Sequence, residues 1–233
     1  MIAVVIPTCD HHYVPPNYGT IPVFVVYDED RRGFAASCNI GIAKAHAKGF
    51  SWILVCNDDI ELSPLNLHTI ISQIREDTGA ISPLIVDDKG MEYAGISVSK
   101  WGRVRMITSR ESTTPDSVIG TCMLVPSWAR FDSQYLHGFE DIALCSFLRE
   151  RGKKISVCRS AHCKHEGGGT VSHYSRPWFA KSIYGQLRFF SSPALSGIIL
   201  GLGLFQARFS RENMKGVLDG YKLWKRQRSS RKT

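Results

Sequence analysis

The chain has no apolar run long enough to cross a bilayer. The nearest approach, Ala194 to Phe205, is twelve residues of apolar and small types, with Gly197, Gly201 and Gly203 among them. At 1.5 Å per residue a helix of that length covers about 18 Å, against a hydrocarbon core of about 30 Å. Also missing is a basic segment ahead of an apolar one at the start. Met1 to Pro7 reads as a first strand rather than a secretory signal, and the expected location is the cytoplasm. No internal repeat or low-complexity segment occurs. Cysteine is sparse and odd in number, at seven, and Cys9, Cys38, Cys56, Cys122 and Cys145 lie in largely apolar or helical patterns. This argues against a disulfide framework and for reduced thiols in a reducing compartment. The apolar fraction of 43% and charged fraction of 21% exclude disorder and a polytopic membrane protein. Residues 1–207 hold 20 Lys/Arg against 19 Asp/Glu, so the net charge of +8 comes almost wholly from residues 208–233, with nine against two.

What is present is an alternation of strand and helix patterns. Short apolar runs at Ala3 to Pro7, Val23 to Tyr27, Trp52 to Cys56, Gly79 to Ile85 and Val118 to Val125 read as buried strands. Gly33 to Ala47 and Asn66 to Glu76 carry helical spacing between them, and Glu92 to Arg110 reads as loops or small strands. A helix is predicted from Glu140 to Arg151, its acidic start complementing the helix dipole and Gly152 ending it. The pattern is that of a doubly wound α/β sheet flanked by helices.

After Arg176 the character changes, which divides the chain into an α/β domain over 1–175 and a basic amphipathic helical tail over 176–233. Pro177 opens a helix in which Phe179, Ile183, Leu187 and Phe190 recur at helical spacing. Farther on, Met214, Val217, Leu218, Tyr221 and Trp224 share one side of a helix, with Lys215, Lys222, Lys225 and Arg226 around the other. Such a helix suits an anionic membrane surface, which residues 177–228 are expected to contact. The plainer alternative is packing of the same apolar face on the catalytic domain or on a second copy in a homo-oligomer. Nucleic acid is not the expected partner of the basic tail.

Chemistry concentrates in four segments. Asn57-Asp58-Asp59 ends the strand Trp52 to Cys56, where open α/β sheets bind ligands and where acidic oxygens can hold a divalent metal. Its plainer reading is a turn or helix cap. The others are Arg32 to Gly41, then Gly138-Phe139-Glu140-Asp141, then His165-Glu166-Gly167-Gly168-Gly169-Thr170. The glycines of the last read either as a hinge or as a loop that orders over phosphates. Cys158, His162, Cys163 and His165 are a second, zinc-type alternative, but their spacing is irregular for zinc.

In this order and spacing the motifs resemble the family 2 glycosyltransferases of the GT-A fold, a Rossmann-like, mostly parallel sheet. The similarity is strongest to the rhamnosyltransferase-like branch that builds surface polysaccharides. It covers roughly residues 1–175. The matching residues are Val4-Val5-Ile6-Pro7-Thr8, the helix-opening Gly33 to Gly41 segment with Asn39, the Asp-x-Asp variant Asn57-Asp58-Asp59, Ile81-Ser82-Pro83, Ala94-Gly95, and Phe131-Asp132 through Glu140-Asp141. The resemblance implies that Pro7, Thr8, Asp28, Gly33, Asn39, Asn57 and Asp58 bind a nucleoside-diphosphate-sugar donor. It implies that Asp59 and His165 hold a divalent metal, Mg or Mn, and that Asp141, with Glu140 beside it, is the general base for a glycan or lipid-linked acceptor.

The match departs in the first half. Only Cys9 to Arg32 stands where family members place a helix and two further strands, so Asp28 or Asp10 is left to read the base. Arg31 replaces a common Asn, and Ala143 and Phe147 replace an acid–arginine pair. The expected function is a metal-dependent inverting glycosyltransferase. Competing readings are an inactive, membrane-peripheral nucleotide-sugar or glycan-binding protein and a sugar-nucleotide nucleotidyltransferase. The latter would need a Gly-rich basic segment after the first strand, where Thr8-Cys9-Asp10-His11-His12 stands.

Overall fold

Three apolar runs set the frame: β1 (Ile2–Thr8), β2 (Val23–Tyr27) and β3 (Trp52–Cys56). β1 pairs with both neighbours in parallel, which buries its two faces and explains why six of its seven residues are buried. The computed structural model describes residues 1–101, 103–135, 138–166, 175–190, 192–207 and 210–230. The remaining strands are β4 (Ile60–Glu61), β5 (Thr78–Val86), β6 (Glu92–Val98), β7 (Val104–Thr108), β8 (Cys122–Pro126) and β9 (Lys154–His165). The order is β2-β1-β3-β8-β5-β6-β7, with β9 parallel to β5 and β4 antiparallel to β9. The α/β class and flanking helices agree with expectation. The sheet is mixed, because β8 enters antiparallel between β3 and β5.

Helix α1 (Phe34–Ala47) follows Gly33, whose φ of 93° suits glycine. It lies so close to β1 that a Cβ on Gly41 would fall 2.3 Å from Val5 Cγ1. α2 (Pro64–Ser72) is capped by Ser63, which accepts from the Asn66 N–H, and α3 (Glu140–Glu150) ends before Gly152. Val5, Val26, Cys38, Ile42, Ile53, Val55, Leu144 and Leu148 belong to one buried cluster. Between β1 and β2, residues 9–22 hold neither helix nor strand, the compression the sequence indicates.

Contacts divide the chain into a first unit of residues 1–98, 104–134 and 140–167 and a second of 99–103, 135–139 and 168–233. In the second, α4 (Arg176–Phe190), α5 (Pro193–Gln206) and α6 (Arg211–Ser230) share a core of Phe179, Ile183, Leu187, Ile199, Ala207 and Val217. Met214, Tyr221 and Trp224 pack against this core, so most of the apolar side of α6 is already covered. Gly216 and Gly220 let α6 press on the backbone of α4: a Cβ on either would sit 2.4 Å from Arg176 O or Ala180 O. Arg176 also pairs with Asp219 (2.7 Å) and Glu212 (3.2 Å). Among the described residues no helix is long and apolar enough to cross a membrane.

Candidate active site

The carboxyl end of β3 gathers the acidic side chains. Asn57 N–H donates to Thr121 O (2.9 Å), continuing the β3–β8 ladder. Thr8, at the end of β1, donates its hydroxyl to Asp58 Oδ2 and accepts from the Asp10 N–H at 3.0 Å. Asp59 is followed at once by β4, whose Ile60 is registered opposite His165 of β9, and Glu166 N–H donates to Asp59 O (3.2 Å). This two-residue ladder sets His165 Nε2 3.3 Å from Asp59 Oδ1.

That oxygen is buried and makes no hydrogen bond among the described residues. A buried carboxylate oxygen with an imidazole nitrogen 3.3 Å away suits a cation ligand. The contact with His165 holds the Asp59 carboxyl below the ordinary carboxylate range, against the opposing effect of burial. A group of three or more His, Cys, Asp and Glu side chains placed to hold a metal is absent among the described residues. The zinc reading of Cys158, His162, Cys163 and His165 therefore gains no support, since these residues are strung along β9.

Asp141 reaches the same end of the sheet through β8. Its Oδ2 accepts from Gly120 N–H (2.9 Å), next to the Thr121 that Asn57 contacts, and its Oδ1 accepts from Ile142 N–H (2.8 Å). Burial pushes its carboxyl above the usual range, while these backbone bonds pull the other way. Glu140 is 9% exposed and electrostatically faces α1: it adds to the effect of burial in raising the Cys38 thiol.

The other residues with expected donor roles are placed as follows. Pro7 is buried in β1 opposite Val26. Asp28 is 7% exposed and caps the turn into α1, accepting from Arg32 N–H (2.8 Å) and Gly33 N–H (2.9 Å). Asn39 lies on α1 with its amide bonded both ways to the Phe131 backbone, at 2.8 and 2.9 Å. The structure thus brings Thr8, Asn57, Asp58, Asp59, Asp141 and His165 to the carboxyl end of β1 and β3 and engages Asp28 and Asn39 in turn and strap contacts. The glycine segment from Gly167 to Thr170 lies outside the described residues.

Two residues at the site have no place in the sequence reading. Tyr13, from the loop between β1 and β2, has its phenol pushed up to about 12 by burial, then by Cys56 and Asp58 nearby. No periodicity or motif marks it. Gly120 is the second: a Cβ there would meet Asp141 Cβ at 3.1 Å and Oδ2 at 3.3 Å. A glycine inside an apparent strand run is a sign of close backbone approach, and that sign was available. In the same loop His11 stacks on Tyr27, with ring centres 5.6 Å apart.

Residues 13–133, a little over half of the chain, match the family model described as Glycosyl transferase family 2, and the chain belongs to that family. Among solved structures, GalNAc-T7 with UDP, GalNAc and Mn2+ aligns with a TM-score of 0.56 at 14% identity, over 79% of this chain and 47% of that one. S. aureus TarS 1-349 in complex with UDP-GlcNAc gives 0.52 at 13%, over 96% and 78%. The mannosyltransferase PcManGT from Pyrobaculum calidifontis in complex with GDP-Man and Mn2+ gives 0.51 at 10%, over 95% and 73%. At these identities the likeness is one of fold, the GT-A glycosyltransferase fold. The chain spans just under half the length of the GalNAc-T7 chain. No curated protein sequence matches it.

Proposed function

We propose that the chain is a metal-dependent, inverting glycosyltransferase that moves a sugar from a nucleoside-diphosphate sugar to a hydroxyl of a glycan or lipid-linked acceptor in surface polysaccharide synthesis. Its working place is the cytosolic face of a membrane, reached through residues 177–228, as in the rhamnosyltransferase-like branch of the family. The observation that carries the reading is the buried Oδ1 of Asp59, without a hydrogen bond among the described residues and 3.3 Å from His165 Nε2 at the carboxyl end of β3.

Asp59 and His165 would hold a divalent ion, which supplies Lewis-acid neutralisation of the charge that gathers on the departing diphosphate. Thr8 fixes Asp58 by a hydrogen bond, so the acidic cluster is ordered before donor arrives. Asp141 takes the acceptor proton. An acceptor hydroxyl has a pKa far above 7, so a carboxylate must receive its proton as attack proceeds, which is worth typically 10²–10⁴-fold. Each Asp141 oxygen accepts one backbone N–H and keeps lone-pair capacity for that proton. Burial raises its basicity, against the pull of these two backbone bonds. A base across the sugar from the leaving group makes the displacement in-line and the outcome inversion.

The test is thermal stabilisation by UDP, GDP, dTDP and CMP, each with and without Mn²⁺, beside Asp59→Ala. A nucleotide at a hundred times its Kd stabilises by about 2.7 kcal/mol. One nucleoside diphosphate is expected to do so only with Mn²⁺ and only with Asp59 present. Stabilisation by none, in a folded protein, overturns the donor site.

A further inference from the structure

We infer that α5, rather than the apolar side of α6, is the element that enters the membrane surface, with a strip of basic residues on α6 beside it reading anionic lipid headgroups. The inference rests on the membrane attachment proposed above and identifies the surface that makes it. α5 contains no charged residue along its length. Its inner side is filled, with Ile199 1% exposed and Gly203 against Ile183 and Val217. Its outer side is open: Ile198 and Leu202 are 41% and 48% exposed and Phe205, one turn on, is also exposed. A Cβ on Gly197 or Gly201 would meet no atom within 4 Å among the described residues. Positions 198, 201, 202 and 205 lie on one helix face, so the open apolar surface is continuous.

The second observation is charge. On α6, Val217 meets α5 at Gly203, whereas Gly216 and Gly220 meet α4. At about 100° per residue, Lys225, Leu218 and Lys222 lie about 80°, 100° and 140° from Val217, turning away from the α4 side. They therefore lie on the side of α6 away from α4. All three are exposed. The acids of α6, Glu212 and Asp219, are paired with Arg176 and Lys215, and no acid follows Asp219. A second copy joined through the same face by a two-fold axis would set these like-charged strips near each other. Anionic headgroups complement the charge of the strip while the acyl boundary takes Ile198 and Leu202.

The experiment is co-sedimentation of the full chain with phosphatidylcholine vesicles and with mixed phosphatidylcholine–phosphatidylglycerol vesicles. Wild type, Ile198→Ser/Leu202→Ser and Lys222→Glu/Lys225→Glu are compared, and melting temperatures confirm folding. Binding to the mixed vesicles, at least about tenfold weaker in each variant and weakened by salt in wild type, supports the inference. Unchanged binding in the serine variant, no binding of wild type to either vesicle, or a salt-insensitive dimer lost in the serine variant overturns it. Vesicle binding is read without donor or turnover, so a failed donor site leaves this result standing, and the reverse.

Discussion

The carboxylate of Asp141 hangs on the backbone N–H of Gly120 at 2.9 Å, and a Cβ on Gly120 would crowd Asp141 Cβ at 3.1 Å. One glycine thus links β8, which borders the acidic end of β3, to the start of α3. Gly120→Ala is expected to push Asp141 by a few tenths of an ångström. Since a 1 Å misplacement can cost about 10²-fold, kcat should fall roughly tenfold with the donor KM unchanged. Steady-state kinetics with donor and acceptor varied separately checks this.

Asp141→Asn should lower kcat by about 10²–10⁴-fold while nucleotide-dependent stabilisation persists. Because burial raises the Asp141 carboxyl, the acidic limb of kcat/KM is expected above the ordinary Asp value of about 3.9. That limb should vanish in the variant. The sign for stability runs the same way. The folded chain holds this proton more tightly than the unfolded one, so the contribution is present in acid and lost as pH rises through the raised value. Melting temperatures of the two proteins should accordingly diverge toward neutral pH, with the Asn variant gaining relative to wild type.

His165→Ala removes the imidazole that lies 3.3 Å from Asp59 Oδ1. The Mn²⁺ concentration needed for half-maximal nucleotide stabilisation should rise at least about tenfold, and the fold, read by far-ultraviolet circular dichroism, should be kept. Metal removal by a chelator should abolish nucleotide stabilisation in wild type.

Asn39→Ala breaks both hydrogen bonds between α1 and the Phe131 backbone. At about 1 kcal/mol per bond, a loss of about 2 kcal/mol in urea unfolding is expected. Unchanged nucleotide affinity in the same variant would assign Asn39 to the scaffold, and a selective loss of affinity would return it to the donor site.

Gly220→Ala forces a methyl to within 2.4 Å of Ala180 O at the α4–α6 crossing. Overpacking of this kind costs about 1–3 kcal/mol. A lowered melting transition with turnover on a soluble acceptor retained would show that the helical unit yields without the catalytic one.

The strands β1, β2 and β3 were legible because each is a short, largely apolar run, α1 because of its helical spacing, and α3 because an acidic start and a glycine stop mark it. β9 was not. Its burial alternates, its register against β5 shifts between Pro83 and Leu84, and its exposed half is Lys, Arg, Ser and His. A strand interrupted in this way has no clean period of two. The acids Asp59 and Asp141 and the imidazole of His165 stood out through motif spacing. Their neighbours Tyr13 and Gly120 did not, since their roles come from the close approach of segments far apart in sequence. The apolar side of α6 was legible as amphipathic, but periodicity does not tell a lipid partner from α4.

β4 is only two residues long, yet it joins Asp59 to a strand completed more than a hundred residues later. Everything the family model recognises, residues 13–133, precedes both Asp141 and His165. During synthesis, therefore, the part of the chain that the family model matches emerges before either of these residues, and Asp59 meets its imidazole neighbour only once β9 has been made and has docked on β4.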